Sequence, residues 1–152
     1  MIAAVGHPKD RALAAAILDY ETRAARYWPI EVVEVKGERA DHATTTASVR
    51  AREGVRIQDR VGDAATTIAC DASGQSMSSE RFAAWLQAER EAARDVAFMI
   101  GGAFGLDERL RDSASIRLSL APWTLPHELA RLVLAEQLYR AGTIVRGAPY
   151  HK

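Results

Sequence analysis

Near the C-terminus, two pairs of ionisable residues stand four apart, His127 with Arg131 and Glu136 with Arg140, and the chain closes on Pro149-Tyr-His-Lys152. Residues four apart on a helix are neighbours, so each pair is able to act as a unit. An imidazole near neutrality moves protons, and a carboxylate–guanidinium pair either positions an anion or serves as a structural ion pair. Both uses stay open on the helix alone. The closing tetrapeptide offers an aromatic ring, an imidazole and a cation, the groups needed to stack on, deprotonate and neutralise a nucleotide. Earlier, Gly101-Gly-Ala-Phe-Gly105 follows an apolar run. It reads as a ligand loop or a plain tight turn.

These groups need a scaffold. Ile2–Val5, Ile30–Val35, Ala65–Cys70, Asp95–Ile100 and Ser115–Leu120 are short apolar or β-branched runs that predict strands. Between them, helices are expected over about Lys9 to Tyr27, Arg50 to Arg60 (with Val55 and Ile57 as anchors), Ser78 or Ser79 to Ala93, and Asp107 to Arg111. Lys36–Ala47 is polar, Thr-rich and without periodicity, a loop. Asp71-Ala-Ser-Gly74 is a turn. The last helix starts at Pro126 and meets a natural stop at Gly142. Its apolar residues fall in two opposed sectors, Leu129, Leu132 and Val133 against Leu134 and Leu138, so cover on most sides is expected. Strands alternating with helices predict an α/β fold, a mostly parallel sheet with helices on both faces. With no repeat or linker, residues 1–152 are expected to be one domain.

Composition narrows the classes. The 152 residues carry 20 basic and 20 acidic side chains, so no bulk field draws the chain to nucleic acid, and any RNA contact must be a local patch, completed if need be by a second subunit. Cys70 is the one cysteine, which excludes an intrachain disulfide and suits a reducing compartment. No apolar run approaches the roughly 20 residues of a membrane span, and the N-terminus lacks a signal-peptide pattern. A cytoplasmic protein is expected. The four histidines and Cys70 lack metal-ligand spacing. Neither a P-loop nor a Gly-x-Ser-x-Gly elbow is present. In open α/β sheets ligands sit at the carboxyl ends of strands, and three such ends are candidates together, at Cys70-Asp71, Ile100–Gly105 and Leu120–Leu125. Trp123 suits either a core or a pocket wall.

Several segments, Cys70-Asp-Ala-Ser-Gly74 with Ser78–Ala83, Ile100–Leu106, Thr124-Leu-Pro-His127, Arg131, Glu136–Ala141 and Pro149–Lys152, resemble the SPOUT-class methyltransferases that act on N3 of a pseudouridine in bacterial 23S rRNA. The resemblance spans Ile2 to Lys152, and the pairing of Thr-Leu-Pro-His with Pro-Tyr-His-Lys is its specific part. It implies a C-terminal trefoil knot, a homodimer, and S-adenosylmethionine as the only cofactor. Cofactor positions would be Cys70, Gly102, Leu120, Ala121, Pro122, Trp123, Thr124 and Leu125. His127, Glu136, Arg140, Tyr150 and His151 would be catalytic, with a histidine as base or proton relay, and Arg140, Tyr150 and Lys152 would hold RNA in the large subunit or 70S ribosome. No metal or membrane is implied. Cys70 stands where a larger apolar residue is usual, and Trp123 where Met or Leu is. Two alternatives keep the fold: methylation of another RNA, or a non-catalytic ribosome-binding protein.

Overall fold

The computed structural model describes residues 1–40, 44–64 and 66–151, with only the backbone of His151. Residues 41–43 of the expected Thr-rich loop, Ala65 at the expected start of the third strand, and Lys152 lie outside the described residues. The elements are β1 (Ile2–Val5), α1 (Arg11–Ala24), β2 (Val32–Val35), α2 (Thr46–Val61), β3 (Thr66–Ser76), α3 (Ser79–Glu91), β4 (Val96–Ile100), α4 (Glu108–Ser113), β5 (Ile116–Ser119), α5 (His127–Val145) and a closing 3-10 turn at Pro149–His151. Asp10, Thr45, Ser78 and Asp107 begin α1 to α4, each accepting a first-turn N–H that would otherwise lack a partner.

All five strands lie in one parallel sheet, ordered β2-β1-β4-β3-β5. Alternate residues feed two cores. Ile2, Ala4, Ile68, Phe98, Ile100 and Leu118 meet Trp28, Phe82, Leu86, Leu134 and Leu138 beneath α1, α3 and α5. Ala3, Val5, Val35, Ala69 and Met99 meet Ile57, Val61, Leu106 and Leu110 of α2, α4 and the loop before α4. Because both faces are covered, β1 and β4 read as unbroken apolar runs. Each fully buried Ile or Leu contributes roughly 1.5–3 kcal/mol.

The chain departs from the sequence-based expectation in three places. β3 does not end at Cys70. Asp71–Gly74 bulge out of the strand, and Cys70 and Gln75 both pair opposite Leu118. The excursion is the expected turn, with Ser73 N–H donating to Asp71 Oδ1 at 2.9 Å. The ladder then resumes because Gly74 lies flat on Arg117, where a Cβ would come within 2.6 Å of its carbonyl. In α2, Val55 is 61% exposed, and the buried stripe is Val49, Glu53, Ile57 and Val61.

The third departure concerns α5. Gly142 does not end it. This glycine is buried inside the helix against Tyr27, whose ring a Cβ would meet at 2.4 Å. The helix stops at Gly147, with φ +65°. There Gly147 N–H donates to Ile144 O and Ala148 N–H to Thr143 O, the paired bonds of a Schellman cap. Gly142→Ala should therefore destabilise the α1–α5 contact by about 1–3 kcal/mol through overpacking. Equilibrium urea unfolding checks this, and an unchanged midpoint would remove the close approach as the reason for the glycine. The cover of α5 is uneven between its two sectors: Leu134, Ala135, Leu138 and Ala141 are buried, Leu132 and Val133 are half-buried, and Leu129 is the one exposed residue of His127–Val145.

Candidate functional site

The outgoing connections diverge between β1 and β4, which makes their carboxyl ends the topological switch point of the sheet. A cleft of about 700 Å³ opens beside it. Its walls come from the ends of β3 and β4 and from the segment after β5, so the three expected strand ends converge. Cys70, Gly102, Leu120, Ala121, Trp123, Thr124 and Leu125 line it, joined by His127. Pro122 is exposed and does not line it.

The glycine loop makes a tight turn and forms part of the wall of the cleft. Gly102 and Gly105 form an antiparallel bridge, with Gly105 N–H on Gly102 O at 3.0 Å. Gly105 takes φ +81°, a conformation that favours glycine. A Cβ on Gly101 would lie 2.3 Å from the Gly105 carbonyl carbon, and one on Gly102 would lie 2.8 Å from Glu53 Oε2. The loop's glycines thus answer to protein neighbours. A valine at 102 would strike Glu53 and Val5.

Desolvation, with some help from Asp71, pushes the Cys70 thiol up to about 12, so it is a protonated wall atom and no nucleophile. Asp71 itself is partly buried, which raises it, but the hydrogen bonds from Ser73 and the fields of Arg111 and Arg117 hold it below the usual range. Trp123 is 75% exposed. It stands at the rim, and Leu120 and Leu125 are the half-buried apolar walls.

His127 opens α5, after Pro126 at the cap. Its Nε2 lies 3.9 Å from Glu128 Oε1 and faces Gly6, whose Cβ would approach it at 3.6 Å. Glu128 in turn accepts from Lys9 N–H at 3.2 Å, which ties the β1–α1 loop to the helix start. His127 does not pair with Arg131. The Arg131 side chain is buried, donating to Glu21 of α1 at 2.8 Å and to Glu34 of β2 at 2.6 Å. Two long-range carboxylates outcompete one imidazole. Burial would raise Glu34, but the bonds from Arg131 and His7 outweigh it and hold the carboxyl below its ordinary value.

Glu136 and Arg140 do pair, at 2.9 Å and 2.6 Å. Tyr150 donates its hydroxyl to Glu136 at 3.2 Å, lies 3.3 Å from Tyr20 Oη, and packs on Tyr139 at 4.5 Å between ring centroids. The Arg140 guanidinium lies 5.0 Å over the Tyr150 ring. Burial above all, then the Tyr20 hydrogen bond and the Glu136 charge, hold the Tyr150 phenol well above its usual range. In this arrangement it is a donor and a stacking face. The C-terminal turn is therefore docked, although chain ends usually fray. The His151 side chain and Lys152 fall outside the described residues.

These candidates form two groups. His127 belongs to the cleft, whereas Glu136 sits about 14 Å farther along α5, nine residues at 1.5 Å each, with Arg140 and Tyr150 bonded to it there. A single chain does not bring them together.

Sequence reasoning missed Glu53. The carboxyl occupies a core position of α2 and is 4% exposed. Its Oε1 accepts from Glu38 N–H at 2.9 Å, and its Oε2 has no hydrogen-bond partner among the described residues. The signal was an acid in phase with Val49, Ile57 and Val61 at steps of four. Among the described residues, no three His, Cys, Asp or Glu side chains gather as metal ligands, and no helix is long and apolar enough to cross a membrane.

Residues 1–151 match the family described as "Predicted SPOUT methyltransferase". The chain is 57% identical over 148 residues to the ribosomal RNA large subunit methyltransferase H of Gemmatimonas aurantiaca, covering 97% of this chain and 96% of that one. It is 40% identical over 155 residues to the protein of the same name from Limosilactobacillus reuteri, covering 99% and 98%. Among solved structures, a probable methylase family protein from Haemophilus influenzae superposes with a TM-score of 0.54 at 15% identity, over 99% of this chain and 68% of that one. That likeness bears on the fold.

Proposed function

The chain belongs to the SPOUT methyltransferases, in the family of ribosomal RNA large subunit methyltransferase H, and from that premise we propose that it methylates N3 of a pseudouridine in 23S rRNA, using S-adenosylmethionine. It is an rRNA methyltransferase, acting in the cytoplasm on the assembled large subunit or 70S ribosome. The observation that carries the reading is the cleft where three strand ends converge. Its composition suits the cofactor. Leu120, Leu125 and Cys70 are apolar walls for an adenine, and the loop backbones carry the groups to read its edge. When bound, the cofactor supplies an electrophilic methyl group.

The chain's own task is to hold the base and take its proton. The N3–H of pseudouridine is an imide, largely protonated at neutral pH, and a positioned acceptor contributes roughly 10²–10⁴-fold. His127 lines the cleft, and His151 belongs to the docked tail. One of them acts as base or relay. Arg140 and Tyr150 orient the nucleotide by phosphate contact and stacking, with Glu136 holding both in place.

We further propose a homodimer. His127 and the Tyr150 group serve one nucleotide only if the second group comes from another copy. The less covered side of α5, with Leu129, Leu132 and Val133, supports a contact there, and a specific interface buries at least about 1,000 Å². The same reading takes residues 1–152 as one domain and threads its C-terminal part into a trefoil knot. Labelled methyl transfer to 70S particles, free 23S rRNA and tRNA tests the activity: 70S particles should be labelled, and preferential labelling of tRNA would overturn the substrate. Sedimentation at micromolar concentration should give twice the chain mass, and a monomer would remove the shared site.

A further inference from the structure

Glu53 is a buried acid with no cation paired to it among the described residues. The nearby Arg52 and Arg56 are both engaged by the Glu38 carboxylate, and Oε2 of Glu53 has no partner among the described residues. Leaving a buried carboxylate half-satisfied is costly, so the position calls for a reason. Its surroundings supply one. Gly102 lines the cleft, and a Cβ built on it would reach Glu53 Oε2 at 2.8 Å and Oε1 at 3.1 Å. The carboxyl thus lies one backbone thickness behind the cleft wall, and the absence of a side chain at 102 keeps that separation minimal. Val5, at 3.0 Å from the same Cβ position, is an apolar neighbour on that side, and burial strengthens the field of the charge.

We propose that the Glu53 carboxylate is the counter-charge for the positively charged sulfur of the methyl donor, a role that rests on the cofactor reading above. It touches no reacting atom, so it is a positioning and specificity residue. Its consequence is a preference between ligands of nearly the same shape. The donor carries a sulfonium and the demethylated product a neutral thioether, so a fixed negative charge favours the first over the second. After transfer the cleft holds the less favoured ligand, which aids its release.

The alternative is that Glu53 merely fastens loops, since Oε1 accepts from Glu38 N–H and Gly102 packs against it. Glu53→Gln separates the two, because glutamine keeps the shape and the acceptor but removes the charge. Calorimetry on the full chain should show S-adenosylmethionine affinity falling at least about tenfold while S-adenosylhomocysteine affinity stays within about twofold. Equal losses for both ligands, or no loss for either, would overturn the proposal in favour of loop support. Should the variant fail to fold, the wild-type chain decides. It should bind the sulfonium at least about threefold more tightly than the thioether, and equal affinities refute the counter-charge. A wild-type chain that binds neither ligand refutes the cofactor reading itself, and this inference with it.

Discussion

Arg131→Ala is expected to lower stability by roughly 3–5 kcal/mol, the cost of removing one partner from a buried ion pair. The Arg131 and Glu21 side chains are 8% and 10% exposed, so the variant leaves Glu21 in the interior without a cation. For a domain stable by about 5–15 kcal/mol this is a large fraction. The damage should be specific to the uncompensated charge. Arg131→Met combined with Glu21→Leu should recover much of the loss, because apolar replacement of a buried pair is often neutral. Acid sensitivity supplies a second readout. Glu34 is held below its ordinary value of 4.5, so its contribution is complete above that pH and is lost as pH falls through the folded value. Without Arg131 that acid-side slope should flatten. Urea unfolding of the single and double variants between pH 3 and 7 measures both effects. A loss under about 1 kcal/mol for the single variant would mean that water reaches Glu21.

The second large effect is on activity. Deleting Tyr150–Lys152 should reduce methyl transfer to ribosomes at least about tenfold while leaving cofactor affinity unchanged, because Tyr150 belongs to the Glu136 group and not to the cleft. From the sequence, a tail deletion is expected to shift stability by no more than roughly 0.5 kcal/mol. The structure revises that figure. The Tyr150 ring packs on Tyr139 and its hydroxyl meets Glu136 and Tyr20, so a loss of about 1–2 kcal/mol is expected. Tyr150→Phe keeps the ring and removes the hydroxyl, which separates stacking from the hold on Glu136. A truncated protein that methylates ribosomes at the full rate would confine the chemistry to His127 and the cleft.

How legible the protein was in its sequence depended on whether the deciding contacts were local. Ile2–Val5 and Asp95–Ile100 read as strands because burial on both faces leaves an almost unbroken apolar run. The convergence of Cys70, the glycine loop and Leu120–Leu125 followed from the parallel sheet, which puts every carboxyl end on one side. Gly142 was misleading because a glycine that lets Tyr27 approach is written with the same letter as one that ends a helix. Arg131 pairs with residues about 100 positions away in the chain, and only the packed fold could set them against its local neighbour His127. Glu53 lay in phase with its helix's core stripe, but an acid there reads as surface until Gly102 and Val5 are seen beside it. Trp123, open in the sequence between core and pocket wall, lines the cleft at its rim and is mostly exposed, since nothing local says how far a loop stands from its neighbours.

The order of the strands also has a consequence in time. β1 lies between β2 and β4, and the apolar side of α1 is closed by α5, with the Trp28 indole N–H donating to Leu138 O across 110 residues of chain. Translation at about 5–20 residues per second adds those residues over roughly 6–22 s. Through that interval the nascent β1–α1–β2 segment has one sheet neighbour and no lid over Ile17, Ala24 and Trp28. The segment waits on the ribosome with its future interior facing solvent, which makes the first third of the chain the stretch on which a nascent-chain chaperone would act.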